Sequence, residues 1–502
     1  MKSSSTTAAA AALALALALI ASSVVAELTS HASNSNLHRR QTPTATSGSA
    51  ASQGSIYEQA FTDPVAAAQA ANVLPFIAGQ YATGQLWRYN LADDAGQLPW
   101  NSNVPFIAEA AVNGSVKGGW EALPEIQGMD LNRTFAVAPG AVMPFYQTQA
   151  YDASKVKRAI MVMPGKPRDC WKYTSLVQNA LDVYTTNPQS VSSNPDGSAS
   201  NGARTSADQV LIMGPCWMNA DDRQAGAILQ GELYWHRTQW QSGMASRGPG
   251  DTRISSYQVM DAFIDTLFDK TQFPLLETVV IAGHSIGAQM VQRYATLKAT
   301  SANDANISYW IGNPGSYAWL TSDRPNTSNT SCRADYDDWA YGLGGSGVPP
   351  YARDRVRTQK QALLQTYANR NIHYNLALLD NGQGDTSCEA SYQGANHLER
   401  GCKFIELLAR MNGGKLPATQ TANFMPNVSH QDYSMLSYNI SLYRLFEETP
   451  SGATAVSSAK VGSSKTTNKA GAASSASMVM ANNALTASFG LGAVVSFGLS
   501  LL

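Results

Sequence analysis

Short, continuous apolar runs recur along the middle of the chain, and they constrain its fold more than any other feature. They cover residues 158–164, 209–214, 275–282, 307–311 and 372–379. Runs of this length suit strands that are buried on both faces of a parallel sheet. Between them, residues 255–268 place apolar side chains on one helical face behind serines that can cap the helix. Alternating strands and helices predict an α/β fold with a mostly parallel central sheet and helices on both faces.

One turn between a strand and a helix carries a nucleophile motif. Gly283-His284-Ser285-Ile286-Gly287 fits the pattern G-x-S-x-G, directly after the apolar run 275–282 and before the helical stretch 286–295. The motif needs this strand–turn–helix setting, because the sharp turn lifts the serine hydroxyl above the sheet edge. The helix N-terminus then points backbone N–H groups at developing negative charge. The sequence therefore predicts Ser285 as a nucleophile, against the alternative of a buried serine in a glycine turn.

A serine nucleophile needs a histidine base, and three histidines follow Ser285 in the sequence. His373 lies within a predicted strand and is typical of a core residue. His397 lies at a helix start rich in Glu and Arg, which indicates a solvated or capping residue. His430 follows the apolar segment 422–426, where the last strand of this kind of fold delivers its base. We therefore predict His430 as the base.

The acid that orients the base should follow the strand before that segment. Asp380 directly ends the run 372–379, and Asp385 lies five residues further in a glycine-rich loop. We prefer Asp380 and keep Asp385 as a rival. For the oxyanion, we expect the backbone N–H of Ile286 and a second donor from the loop after residue 164. Pro167 has no N–H, so Lys166 or Arg168 are the candidates, and we prefer Lys166.

Bulk charge and cysteine spacing exclude several classes of protein. Asp and Glu total 36 against 35 Lys and Arg, so no basic field exists to attract nucleic acid. None of the five cysteines lies in a C-x-x-C pair, so the sequence predicts no metal site and no cofactor. An odd count in an exported chain predicts two disulfides and one free thiol, whose connectivity the sequence does not give.

Both ends of the chain carry targeting patterns. Residues 1–26 combine a basic start, an apolar run and small residues, which predicts a signal peptide. Residues 475–502 end in an uncharged apolar tail behind a polar spacer and small residues, which predicts a removed glycolipid-anchor signal. A signal anchor and a single-pass helix are the alternatives. The chain is then expected to be secreted and held on the outer membrane leaflet at the cell surface or cell wall.

The remaining segments divide the chain into a globular part and its borders. Residues 27–55 are a low-complexity or propeptide segment, residues 56–450 the globular domain, and residues 451–474 a Ser/Ala/Gly/Lys stalk. Sequons for N-glycosylation support export. They begin at Asn113, Asn132, Asn306, Asn326, Asn329, Asn427 and Asn439.

Several motifs together resemble the α/β-hydrolase superfamily, and within it a group of secreted fungal serine hydrolases. The resemblance covers about residues 150–445. It rests on the sequence around Ser285, on the segments 292–295, 312–317 and 341–343, and on 385–390 with Gln393-Gly394. In that group the acid strand ends in Gly-x-x-Asp, which corresponds to Ala377–Asp380 here and supports Asp380. The base lies in a Gly-x-Gly-His loop, which corresponds to Asn427-Val428-Ser429-His430, with both glycines replaced.

These features predict an extracellular serine hydrolase that cleaves a carboxylic ester of a small molecule or polymer. A lipase or a peptidase would use the same residues. Residues 317–353 hold several aromatic side chains and are expected to form a cap insertion, with ordinary aromatic packing as the alternative. A catalytically inactive surface binding protein on the same scaffold is the second hypothesis, because fold alone does not fix function.

Overall fold

The computed structural model describes residues 52–76, 106–186, 204–382 and 385–450. The targeting patterns at both ends, the stalk and most of the N-terminal low-complexity segment lie outside these residues. The described fold opens with two helices, α1 (Gln53–Gln59) and α2 (Pro64–Asn72). Their N-termini are capped by the side chains of Ser52 and Asp63, each of which accepts a backbone N–H from the first turn.

An eight-stranded sheet forms the centre of the molecule, in the order β3-β6-β8-β7-β9-β10-β11-β12. Only β6 runs against the other strands of this sheet. The strands are Met129–Asn132 (β3), Phe145–Thr148 (β6), Arg158–Met163 (β7), Val210–Pro215 (β8), Thr278–His284 (β9), Ile307–Gly312 (β10), Asn371–Ala377 (β11) and Gln420–Met425 (β12). The mostly parallel sheet predicted from the apolar runs is therefore confirmed.

Two small antiparallel pairs precede the parallel part of the sheet. They are Gly114–Ser115 (β1) with Gly119–Trp120 (β2), and Ala136–Ala138 (β4) with Ala141–Val142 (β5). The helices between and after the sheet strands are Cys170–Thr186 (α3), Ala220–Ala225 (α4), Ser256–Phe268 (α5), Ile286–Leu297 (α6), Arg353–Thr358 (α7), Lys360–Ala368 (α8), Cys388–Ser391 (α9), His397–Met411 (α10), Asp432–Leu436 (α11) and Asn439–Phe446 (α12).

The sheet separates two hydrophobic cores because successive strand residues point to opposite faces. Ile160, Val162 and Ala282 pack on one face with α3, α11 and α12. Met161 and Ile281 pack on the other face with α5, α6 and α10. The central strands are buried along their whole length, which explains their mostly apolar sequences.

The insertion at residues 317–353 contains no strand and becomes helical only at its end, where α7 begins. Tyr317 and Trp319 are fully buried, and both contact Phe404 of α10. The backbone carbonyl of Ala340 accepts a hydrogen bond from Arg293 of α6. These contacts show that part of the aromatic content of the insertion is core packing.

The described cysteines form two disulfides, Cys170–Cys216 and Cys332–Cys388, and leave Cys402 as a buried thiol. This confirms the predicted two bonds and one free thiol. Cys332–Cys388 ties the insertion to α9, and Cys170–Cys216 ties the start of α3 to the end of β8. Within the described ranges, we find no helix with the length and apolar character needed to cross a membrane.

Candidate active site

Ser285 lies at a strained turn between β9 and α6. Its φ and ψ of 59° and −123° are unusual for a residue with a side chain, and such backbone strain costs about 1–3 kcal/mol. The turn is held by Ser285 N–H, which donates to the carbonyl of Gly312 at 2.9 Å. Close packing requires both glycines of the motif. A Cβ on Gly283 would lie 2.4 Å from Gly287, and one on Gly287 would lie 2.5 Å from the carbonyl of Met163. The predicted nucleophile elbow is therefore present.

His430 and Asp380 converge on this serine from two other strand ends. His430 Nε2 lies 2.9 Å from Ser285 Oγ, and His430 Nδ1 lies 2.7 Å from Asp380 Oδ2. Asp380 follows β11, and His430 follows β12. The chain order Ser, Asp, His and the strand order of the sheet are those of one architecture. The chain has an α/β-hydrolase fold.

The rival acid lies elsewhere. The carboxylate of Asp385 accepts a hydrogen bond from Ser387 N–H at 2.9 Å, and its backbone carbonyl accepts one from Arg400. Its side chain therefore shapes the turn before α9. The structure brings Asp380, and not Asp385, to His430.

The other two histidine predictions had different outcomes. His373 is buried in β11 and contacts Thr421 Oγ1 at 2.9 Å, which confirms its expected core position. The prediction that His397 is solvated or a cap was wrong. Its side chain is buried, and its Nδ1 lies 3.3 Å from Asp380 Oδ1. The cap of α10 is instead Asn396. The reason is that α10 begins against the loop after β11, where Leu398 N–H donates to the Asp380 carbonyl.

The base is surrounded by imidazole rings. The ring of His430 lies 4.5 Å from that of His397 and 4.6 Å from that of His284, measured between centroids. Burial lowers the pKa of His397, and burial together with His430 lowers the pKa of His284 well below its ordinary value. Both flanking rings are therefore neutral at neutral pH. No motif marks His397 as part of the site, so its position could not be predicted from the sequence.

Asp380 keeps its charge although it is fully buried. Burial alone would raise the pKa of its carboxyl, but His397 and His430 outweigh burial and hold that pKa well below its usual range. An ionised Asp380 accepts a hydrogen bond from His430 Nδ1–H, which leaves Nε2 free to accept one from Ser285. The electrostatics thus match the relay geometry.

The loop that carries His430 lacks the glycines of the related pattern but retains a left-handed backbone. Asn427 has a φ of 58°, and asparagine is among the few residues with a side chain that tolerate this region. Its N–H donates to Gln53 of α1 at 2.9 Å. Ser429 N–H donates to Gln431, and Ser429 Oγ donates to the carbonyl of Leu379. The replaced glycines therefore do not displace His430 from Ser285.

The loop after β7 supplies the candidates for the second oxyanion donor. This loop lies on the start of α6, since a Cβ on Gly287 would meet the carbonyls of Met163 and Pro164. Within the described residues, the backbone N–H groups of Lys166 and Ile286 donate to no protein acceptor. The N–H of Arg168 already donates to the carbonyl of Gly165 at 3.1 Å, which leaves Lys166 the preferred candidate.

Two side-chain contacts hold the loop after β7 in place. The guanidinium of Arg168 makes a two-point ion pair with Asp222, at 2.6 and 2.8 Å, and both side chains are buried. The indole N–H of Trp120 donates to the carbonyl of Pro167 at 2.6 Å. These contacts hold the loop in place before any substrate arrives.

Asp380, His397 and His430 also form a cluster whose possible metal-ligand atoms lie within 4.8 Å of one another. The 2.7 Å contact between Asp380 and His430 is a hydrogen-bond distance, and a metal ion bound there would have to break it. The arrangement is accounted for by a hydrogen-bond relay.

Comparisons with known proteins give only distant similarities. No protein-family model matches the chain, and no curated protein matches it in sequence. Among solved structures, it is similar to poly(aspartic acid) hydrolase-1 from Sphingomonas sp. KT-1, with a TM-score of 0.41 and 17% identity over 63% of this chain and 97% of that one. A poly(3-hydroxybutyrate) depolymerase from Bordetella parapertussis gives a TM-score of 0.41 and 16% identity over 63% of this chain and 89% of that one. A siderophore hydrolase from Aspergillus nidulans gives a TM-score of 0.35 and 11% identity over 66% of this chain and 99% of that one. At these values the similarities carry no assignment of substrate.

Proposed function

We propose that this protein is a serine hydrolase that cleaves carboxylic esters through an acyl-enzyme. Ser285 is the nucleophile, His430 the general base and acid, and Asp380 the residue that orients His430. One observation carries the proposal. An unbroken chain of hydrogen bonds runs from Ser285 Oγ to His430 Nε2, at 2.9 Å, and from His430 Nδ1 to Asp380 Oδ2, at 2.7 Å.

The first half of the reaction forms the acyl-enzyme. Ser285 Oγ attacks the ester carbonyl carbon while His430 Nε2 takes the hydroxyl proton. The carbonyl oxygen becomes an oxyanion, and the N–H groups of Ile286 and Lys166 donate to it. The tetrahedral intermediate then collapses, and the leaving alkoxide takes the proton from His430. Asp380 keeps its negative charge and stabilises the imidazolium.

The second half regenerates the enzyme. Water attacks the acyl carbon as His430 Nε2 accepts its proton, and the same N–H groups stabilise the second oxyanion. Collapse breaks the bond between Ser285 Oγ and the acyl carbon. His430 returns the proton to Ser285, and the carboxylic acid leaves.

The substrate is a small-molecule or polymer ester. Chain-length panels of p-nitrophenyl esters, triglyceride emulsions and peptide amides distinguish an esterase from a lipase and a peptidase. We expect the highest kcat/KM on short carboxylic esters. Preferred turnover of emulsions or amides would overturn the esterase assignment while leaving the serine mechanism intact.

We further propose that the protein is exported and held at the cell surface by a glycolipid. The terminal patterns support this, as do the two disulfides, which are typical of oxidising compartments. All seven sequon asparagines are at least partly exposed. Treatment of intact cells with a phosphatidylinositol-specific phospholipase should release the protein. Retention after treatment, with release of a known glycolipid-anchored control, would contradict the anchor.

An activity-based probe tests the mechanism directly. The full chain is expressed in a eukaryotic secretory host, treated with a fluorophosphonate, and mapped by mass spectrometry. The probe modifies a serine that a working base activates. We expect an adduct on Ser285 that is lost in Ser285→Ala and His430→Ala. Ser154→Ala is the matched control, because Ser154 is exposed on the loop before β7 and should leave labelling unchanged. A well-folded protein that does not label would favour the binding-protein hypothesis.

A further inference from the structure

The acid of the relay contacts two histidines, one at each carboxylate oxygen. Asp380 Oδ2 lies 2.7 Å from His430 Nδ1, and Asp380 Oδ1 lies 3.3 Å from His397 Nδ1. Asp380 is fully buried, His397 is buried, and the side chain of His430 is 12% exposed. The mechanism proposed above uses only one of these two imidazoles.

Within the described residues, no further hydrogen-bond donor contacts the carboxylate of Asp380. No backbone N–H donates to it, and Oδ1 has no aligned hydrogen-bond donor. A buried carboxylate without donors favours its protonated form, which would be a poor acceptor for His430 Nδ1–H. His397 Nδ1 lies 3.3 Å from Oδ1, so this imidazole is placed to stabilise the charge on that oxygen.

His397 is held in place by the elements that position Asp380. It is the first residue of α10, whose cap Asn396 accepts the N–H of Glu399 at 2.8 Å. The next residue, Leu398, donates its N–H to the backbone carbonyl of Asp380 at 3.0 Å. The histidine and the acid are thus joined through the backbone as well as through their side chains.

The ring of His397 also packs on the base. Its centroid lies 4.5 Å from that of His430 with the planes 30° apart. Burial lowers the pKa of His397, so the ring is neutral and its single N–H can sit on Nδ1, facing Asp380. A neutral ring does not repel the imidazolium that His430 becomes during the reaction.

We infer that His397 is a positioning residue, which places its Nδ1 with its N–H beside Asp380 Oδ1 and packs its ring against His430. This inference rests on the proposed function. The 3.3 Å contact lacks the alignment of a hydrogen bond, so the role is to orient and stabilise the ionised acid. His397 takes no proton from Ser285.

Three substitutions at this position separate the roles. His397→Leu removes the donor and keeps the volume. His397→Asn puts an amide N–H close to the place of Nδ1, whereas His397→Gln puts it near the place of Nε2. The matched control is His373→Leu, which removes another buried histidine from β11 without touching Asp380.

Ester turnover and fluorophosphonate labelling are measured on the full chain, with thermal melting as the check on folding. We expect His397→Leu to lower kcat and the labelling rate by roughly tenfold to a hundredfold, because a buried charge loses its partner, with KM changed less than about threefold. His397→Asn should stay within about threefold of the unsubstituted protein, His397→Gln should fall below it, and His373→Leu should keep its kcat.

The outcomes distinguish this inference from the proposed function. Failure of the unsubstituted protein to label would remove the proposed function and this inference with it. Normal labelling with an unchanged kcat in His397→Leu would overturn the inference alone. An equal loss in the Asn and Leu variants, with normal melting temperatures, would overturn the role of the donor. If the Leu variant does not fold, the comparison of Asn with Gln decides.

Discussion

Replacing the acid of the relay by its amide is the most informative single change. In Asp380→Asn the side chain keeps its size in a fully buried site but loses its charge. The amide can turn its NH₂ toward His430 Nδ1, which then must accept instead of donate. The proton moves to Nε2, so His430 can no longer accept the hydroxyl proton of Ser285 across the 2.9 Å contact.

The expected loss is large because the geometry survives while the tautomer is wrong. We expect kcat for ester hydrolysis to fall about ten-thousand-fold, equivalent to about 5 kcal/mol of transition-state stabilisation. KM should change little, since Asp380 is buried behind His430 and does not reach the substrate.

Asp385→Asn is the matched control. Asparagine retains the carbonyl oxygen that accepts Ser387 N–H, and the contact of Arg400 goes to the backbone of this residue. We expect kcat to stay within about threefold of the unsubstituted protein. The assay is steady-state turnover of a p-nitrophenyl ester, with melting temperatures for both variants. A larger loss in Asp385→Asn than in Asp380→Asn, with both proteins folded, would refute the assignment of the acid.

Two further predictions concern stability. Unfolded histidines titrate near pH 6.5, and burial lowers the pKa of His284 and His373 well below that value in the fold. The stability that these two histidines contribute is then fully present above pH 6.5 and falls as the pH drops, by about 1.4 kcal/mol per histidine per unit. Urea unfolding of the unsubstituted protein and of His373→Leu at pH 7.5 and 5.5 isolates one such contribution, and an identical pH dependence in the two proteins would contradict it. At Asn427, with its φ of 58°, Asn427→Val should lower the free energy of unfolding by about 1–3 kcal/mol, whereas Asn427→Gly should not. Both variants lose the sequon, so glycosylation does not confound the comparison, and equal melting temperatures would speak against backbone strain.

The parallel part of the sheet could be predicted because burial leaves a clear sequence pattern. β7, β9 and β10 are buried along their length and mostly apolar, since helices pack on both of their faces. The strands β3 and β6 could not be predicted in the same way. β3 is half-exposed beyond Met129 and β6 has polar residues at its end, so neither carries a continuous apolar run. Their place in the sheet depends on pairing with distant segments.

The residues of the candidate site also differ in how far the sequence predicts them. Ser285, His430 and Asp380 could be predicted because each follows a recognisable strand in a fixed chain order. The structure brings the three together, and their catalytic roles stay predictions. His397 could not be found, because its sequence neighbourhood is that of an ordinary helix start. Its proximity to Asp380 depends on how α10 docks against the loop after β11, and no local pattern encodes that docking.

The base loop shows why a motif should be interpreted through backbone geometry. The related pattern has glycine at the position of Asn427, and a glycine can provide a positive φ, which is unfavourable for most side chains. Asn427 adopts a φ of 58° and is braced by Gln53 of α1, so the geometry survives the loss of the glycine. His430 consequently lies within hydrogen-bond distance of both Ser285 and Asp380. Substitution of a glycine in this motif would therefore argue against catalysis only if the new residue could not adopt the same backbone conformation.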